Sequence, residues 1–284
     1  MVNRRVGLIP AALMLLFVFL ARMSFAASLP GISPEDAKQI MRVSELKRGM
    51  RGYGLTVFQG TKIEKFDVEI LGVLKQMNMG KDLILVKVGG GPITSRETGI
   101  MSGMSGSPCY INGKLIGAIA YGAGFAKEPI GMVTPIEDML ESWDDNLPAT
   151  PSGFSSPQSL PEPMSIGGAS ADRVSIDRES ARTSGIEDGV LYMQPLMTPM
   201  MVSGMSPRGI DQLADILKPY HIRPVAGPGG HSKEGVSADL EPGAAVGMSL
   251  ATGDIDLTGI GTLTYKRGDR ILAALVDHGN RVAH

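Results

Sequence analysis

One short stretch of this chain, Gly103-Met104-Ser105-Gly106-Ser107-Pro108, has the residue types and spacing of a nucleophile turn. A serine hydroxyl attacks a carbonyl efficiently only when a base takes its proton and fixed donors receive the charge that develops on the carbonyl oxygen. In a tight Gly-x-Ser-Gly turn, the amides of the serine and of the glycine two residues earlier point into one small hole. On this reading Ser105 is the nucleophile and the N–H groups of Gly103 and Ser105 form the oxyanion hole, while Pro108 fixes the exit into the next strand. The alternative for the same residues is an ordinary β-turn, because Gly and Ser are common loop chemistry.

The general base must come from downstream. All four histidines, His221, His231, His278 and His284, follow Ser105. That excludes a His, Asp, Ser order, although triads keep their geometry through several chain orders. His221 follows a helical pattern and suits its C-terminal end, and His231 lies in a glycine-rich polar loop. Asp82, Asp254 and Asp256 are open candidates for the acid, the last two alternating on one face of a strand. The single cysteine, Cys109, excludes an internal disulfide framework and a Cys-rich zinc site, and reads as a small core residue. The 18 methionines read as adaptable filler rather than metal ligands. Neither a metal nor a cofactor is called for.

Short strands must position the turn. Directly after it, Cys109-Tyr110-Ile111, Asn112-Gly113 and Leu115 to Ala120 spell a hairpin with a type I′ turn, because both central residues need positive φ. Upstream, Phe66 to Val73 alternates apolar with polar at the strand period, and Leu83 to Val88 is a second strand before the glycine run Gly89-Gly90-Gly91. Ser33-Pro34-Glu35-Asp36 opens a short helix reaching about Met41. In the second half, Ser206-Pro207 caps a helix with Ile210, Leu213, Ala214 and Leu217 on one face, ending before Pro219. Strands are expected over Ala245 to Leu250, Ile255 to Tyr265 and Arg270 to Val276, the last two turning at Arg267-Gly268-Asp269.

The chain therefore divides into a structured half over 33–144 carrying the serine turn, a Pro/Ser/Gly-rich linker and irregular segment over 145–189, and a second structured half over 190–284. Ahead of these, Arg4-Arg5, the apolar stretch Val6 to Leu20 and the small residues around Ala26 read as a signal peptide over 1–26, cleaved before Ala27. The protein is expected to be exported to the periplasm or the extracellular space, with membrane contact only through an uncleaved leader. At a net charge of −2 and with no run of like charge, nucleic acid is not an expected partner. The low aromatic share, 5%, with 37 glycines and 19 prolines among Val-, Ile- and Thr-rich stretches, favours a mainly β protein.

Taken together, these blocks resemble the SpoIVB-type serine peptidase domain, and in particular its bacterial relatives in which the serine segment precedes the histidine segment. The resemblance rests on Leu46 to Gly54, Gly103 to Pro108, Gly113 to Ala118, Pro135 to Leu140, Val202 to Pro207, Leu240 to Gly243, and Gly253 to Tyr265. It implies a trypsin-like double β-barrel in rearranged order, with short helices and a flexible linker, acting as a serine endopeptidase of the cell envelope on protein or peptide substrates. Ser105 matches the family's serine, and His278 matches its histidine, with Asp277 where the family has glycine. No acid stands in Gly89-Gly90-Gly91-Pro92, where the sporulation peptidase has one. Two alternatives therefore stay open: a catalytically inactive binding or scaffold protein on the same barrel, and a fragment truncated at its C-terminus from a longer family member.

Overall fold

The computed structural model describes residues 34–78, 80–123, 129–143, 157–166, 168–177, 185–227 and 240–274. The leader expected over 1–26 lies outside them, as do His231, His278 and His284. None of the described helices is long and apolar enough to cross a membrane.

The first part runs α1 (Pro34–Ala37), β1 (Arg51–Val57), β2 (Ile63–Asn78), β3 (Lys81–Gly89), α2 (Gly91–Ser95), β4 (Pro108–Ile111), β5 (Lys114–Gly122), β6 (Ile130–Pro135) and α3 (Ile136–Glu141). Its strands pair in the order β4-β1-β2-β3-β6-β5, and β4 pairs again with β5, so the sheet closes into a six-strand barrel. The alternation in β2 shows why it curls one way. Phe66, Val68, Ile70 and Leu74 are buried while Lys65, Asp67 and Lys75 are exposed, which gives the strand one dry face. Phe66 lies opposite Gly54 across the β1–β2 ladder, and its ring fills the space a side chain at Gly54 would need. Register shifts at Ile70/Gly72, Cys109/Tyr110 and Ile119/Tyr121 bend the strands where the ring must turn. The interior gathers Phe66, Val68, Ile84, Val86, Ile111, Ile116, Ile119 and Val133 into one cluster.

The hairpin turn is as expected: Asn112 and Gly113 both have positive φ, 51° and 75°. The opening helix is shorter than the sequence suggests. It ends at Ala37 because Ile40 leaves the helical path to bridge Leu115, where it is buried.

Strand β7 (Gln158–Ile166), strand β8 (Ala169–Ile176) and strand β9 (Gly185–Glu187) occupy the stretch expected to be a linker. With β10 (Val190–Pro195) they extend the first sheet from β5 in the order β5-β10-β8-β7, β9 pairing on β10. Leu160, Ile166, Ala171, Val174, Leu191 and Met193 bury there against Leu74, Leu83 and Tyr121. Two of the prolines that suggested a linker, Pro161 and Pro163, lie within β7, the terminal strand of that sheet and one with a register shift between Ser159 and Met164. A missing amide donor costs little at such a place. Residue 190 therefore starts a strand of the first sheet, and the second half begins later.

That half consists of β11 (Thr198–Ser203), α4 (Pro207–Leu217), β12 (Ile222–Ala226), β13 (Ala245–Ala251), β14 (Asp256–Arg267) and β15 (Arg270–Ala274). Its strands pair as β12-β11-β14-β13, with β15 on β14. Helix α4 starts as read: the Ser206 hydroxyl accepts from the Gly209 amide at 3.2 Å, and Pro207 opens the first turn. The chain is thus mainly β, a closed six-strand barrel plus a second sheet, consistent with a trypsin-like double barrel; the second sheet is open among the described residues.

Candidate active site

The serine turn closes the gap between α2 and β4. Met104 points into the barrel and is 2% exposed, which anchors the turn from inside. Around it the backbone is fully specified. The Met104 amide donates to the Met101 carbonyl (3.1 Å), the Ser107 amide to the Met104 carbonyl (3.0 Å), and the Gly106 amide to the Ile119 carbonyl on β5 (2.9 Å). In return the Ile119 amide donates to the Ser107 carbonyl (3.0 Å). The turn is therefore stitched directly onto β5 just beyond that strand's pairing with β4.

Its carbonyls are held from the other side by β14. The Thr262 amide donates to the Ser105 carbonyl (3.1 Å), the Thr262 hydroxyl to the Gly103 carbonyl (2.9 Å), and the buried Thr264 hydroxyl to the Gly106 carbonyl (2.7 Å). Gly106, at φ 86°, has no room for a side chain, because a Cβ there would lie 2.3 Å from the Thr262 carbonyl oxygen. The Gly261-Thr262-Leu263-Thr264 stretch is therefore the support of the turn. Sequence reading placed it on a strand without seeing this role; the available signal was two threonines at strand period in an apolar segment.

An alternation results. The amides of Met104 and Gly106 are used inside the protein, while those of Gly103 and Ser105 donate to no acceptor among the described residues. Both residues are partly exposed. Two amide donors next to a hydroxyl, in a turn whose carbonyl oxygens are engaged behind it, can receive negative charge developing on an attacked carbonyl. The Ser107 hydroxyl, by contrast, is buried and has no hydrogen-bond partner among the described residues. Cys109 is no rival nucleophile: it is fully buried, its thiol lies 3.7 Å from the Ser107 carbonyl, and burial pushes its pKa up.

Two of the three candidate acids are engaged elsewhere. Asp82 pairs with Lys75 at 2.6 Å beside the β2–β3 turn and also accepts from the Gln76 amide. Asp256 accepts from the Gly253 amide (3.0 Å) and the Ser203 hydroxyl (3.3 Å), which ties down the entry to β14. Asp254 is exposed and precedes β14, so it does not share a strand face with Asp256. His221 adopts a left-handed conformation (φ 53°) after the short 3-10 turn Lys218–Tyr220, and its carbonyl accepts from the Thr198 amide. His278 lies outside the described residues. No cluster of His, Cys, Asp and Glu suited to a metal ion occurs among the described residues.

Residues 30–140 match the family model described as SpoIVB peptidase S55. The matched span contains all six barrel strands and the serine turn. Searches of curated proteins and of solved structures returned no match.

Proposed function

Starting from residues 30–140 as a domain of the SpoIVB-type serine peptidase family, we propose that this protein is an exported serine endopeptidase of the cell envelope with Ser105 as its nucleophile. Peptidases of this family act on protein substrates. The observation that carries the residue assignment is the alternation of used and unused amides around Ser105.

The chemistry runs as follows. The Ser105 Oγ attacks the peptide carbonyl carbon as the His278 imidazole takes the hydroxyl proton. The carbonyl oxygen becomes an oxyanion that accepts from the Gly103 and Ser105 amides, which no acceptor among the described residues engages. Collapse expels the amine, which leaves with the proton from His278. A water molecule then attacks the acyl-serine by the same route in reverse and releases the acid.

The decisive experiment is labelling of the purified, processed protein with a fluorophosphonate. The wild-type chain should label on Ser105, Ser105→Ala should not label at all, and His278→Ala should label at least about a hundredfold more slowly, as loss of a general base does. A folded wild-type chain that stays unlabelled would favour the second reading, a binding or scaffold protein on the same barrel. What supports that reading is that Asp82 and Asp256 are engaged away from the serine turn and that Asp277 replaces the family's glycine beside His278.

A further inference from the structure

A peptide whose carbonyl is held at the Gly103 and Ser105 amides must continue along a neighbouring strand edge; β14 grips the carbonyls of the serine turn, and β5 is the strand whose amide and carbonyl both bond the turn in sheet fashion, at Ile119. Along that edge the partners follow one another in order. Strand β4 pairs as far as Ala118, opposite Pro108, and Gly106 and Ser107 bond to Ile119. The next positions, Ala120 to Gly122, are where an incoming strand would add by backbone pairing.

That edge is already filled by the chain itself. The Leu196 amide donates to the Ala120 carbonyl at 2.9 Å, and Pro195 and Gln194 stand antiparallel to Tyr121 and Gly122. The Leu196 side chain packs against the barrel, its Cδ2 lying 3.1 Å from the position a Cβ on Gly122 would take, with Ile100 beside it. Ile100 fits there because Gly131 leaves space: a Cβ on Gly131 would lie 2.5 Å from the Ile100 Cδ1. Beyond Leu196 the chain passes the front of the turn, where Pro199 Cγ lies 3.7 Å from the Cβ position of Gly103.

We propose that Gln194-Pro195-Leu196 is a built-in pseudosubstrate strand: it covers the substrate edge of β5, and external substrates are extended peptides that replace it and place an aliphatic side chain where Leu196 sits. The proposal rests on the reading of Ser105 as nucleophile for the word substrate, but the displacement itself is a binding event. The contact is built to release. It has two paired positions against the eight between β2 and β3. A competing extended peptide can make the same backbone bonds on this edge. Its apparent affinity is reduced by the fraction of time the strap is closed, so weakening the strap raises it in proportion.

The test uses the fluorescein-labelled heptapeptide Tyr-Met-Gln-Pro-Leu-Met-Thr, the sequence of residues 192–198, and the full chain carrying Ser105→Ala so that nothing is cleaved. Adding Leu196→Asp, which places a charge against Ile100 and Gly122, should tighten binding by about tenfold or more, and the same peptide with Asp in place of Leu should not bind. Equal binding with and without Leu196→Asp in folded protein would overturn the proposal. Should that variant fail to fold, hydrogen exchange on the Ser105→Ala chain decides. The Leu196 amide should be protected alone and lose protection when the peptide saturates; unchanged protection at saturation would overturn the idea. Fluorophosphonate labelling of the otherwise wild-type chain separates the two readings. Peptide capture without labelling retains the strap and removes the peptidase, whereas labelling without any effect of Leu196→Asp removes the strap alone.

Discussion

The barrel and the second sheet are built on different terms. The barrel closes on itself, so its strands leave no free edge within the ring, and its interior cluster draws on every strand from β1's partner β2 round to β5 and β6. The second sheet is open among the described residues, and its own cluster holds three buried residues, Met200, Val202 and Ile222, beneath α4. Ile216 on α4 and Leu250 on β13 stay 64% and 48% exposed. What the second sheet does own is the seam: Thr262 and Thr264 grip the serine turn, and Tyr265 and Leu272 share a cluster with Ile40, Leu115 and Trp143. The serine turn thus sits on the closed barrel, and the second sheet, with few buried residues of its own, shares the seam that holds that turn.

The widest separation between the two parts should come from truncating their cores. Phe66→Ala removes a fully buried ring from the barrel and should cost about 3–5 kcal/mol in urea unfolding, whereas Val202→Ala should cost about 1–2 kcal/mol because an open sheet can settle around the loss. Equal costs would break the comparison and make the second sheet as self-sufficient as the barrel.

The seam should respond less, and more selectively. Thr264→Val keeps the shape but leaves the Gly106 carbonyl oxygen buried without its 2.7 Å partner, which should cost about 1–3 kcal/mol. If the contrast is right, amides of β13 to β15 should exchange faster in this variant while those of β2 and β3 keep their protection, and Ser105 labelling should slow. Uniform loss of protection across both parts would show that they unfold as one unit.

The barrel was far more legible than the second part. Phe66 to Val73 and Leu83 to Val88 announced themselves because a ring with one dry face imposes strict alternation, and Asn112-Gly113 fixed its hairpin through backbone conformation alone. Strands β7 and β8 escaped because the prolines tolerated in an end strand look like linker composition, and their apolar residues join a cluster with residues far away in sequence, among them Leu74, Leu83 and Tyr121. The serine turn was readable for the same reason as the hairpin, being local. Its support by Thr262 and Thr264, and the placing of Gln194 to Leu196 on β5, depend on contacts across dozens of residues that no spacing rule encodes.

A pH experiment sharpens the contrast at a smaller scale. Asp138 lies half-buried on α3, at the exit of the barrel, and its carboxyl is pushed up from the usual 3.8 to about 6, first by burial and then by Glu141, Glu137 and Asp82, against the opposing pull of Lys81. A raised carboxyl pKa means that the folded chain holds this proton more tightly than the unfolded one. Stability from this group is therefore greatest below pH 4 and falls as pH rises through the window from about 4 to 6, leaving a penalty at pH 8. The shift corresponds to about 3 kcal/mol at most, and solvent contact reduces it to roughly 1–2 kcal/mol. Asp138→Asn should accordingly be more stable than wild type by that amount at pH 8, with the advantage fading toward pH 4 in parallel urea titrations. Because Lys81, Glu141 and Asp82 all belong to the barrel side, the gain should appear in exchange protection of β3 and α3 and leave β13 to β15 as they were. A gain confined to the second sheet, or one that grows toward low pH, would show that α3 serves the seam and not the barrel.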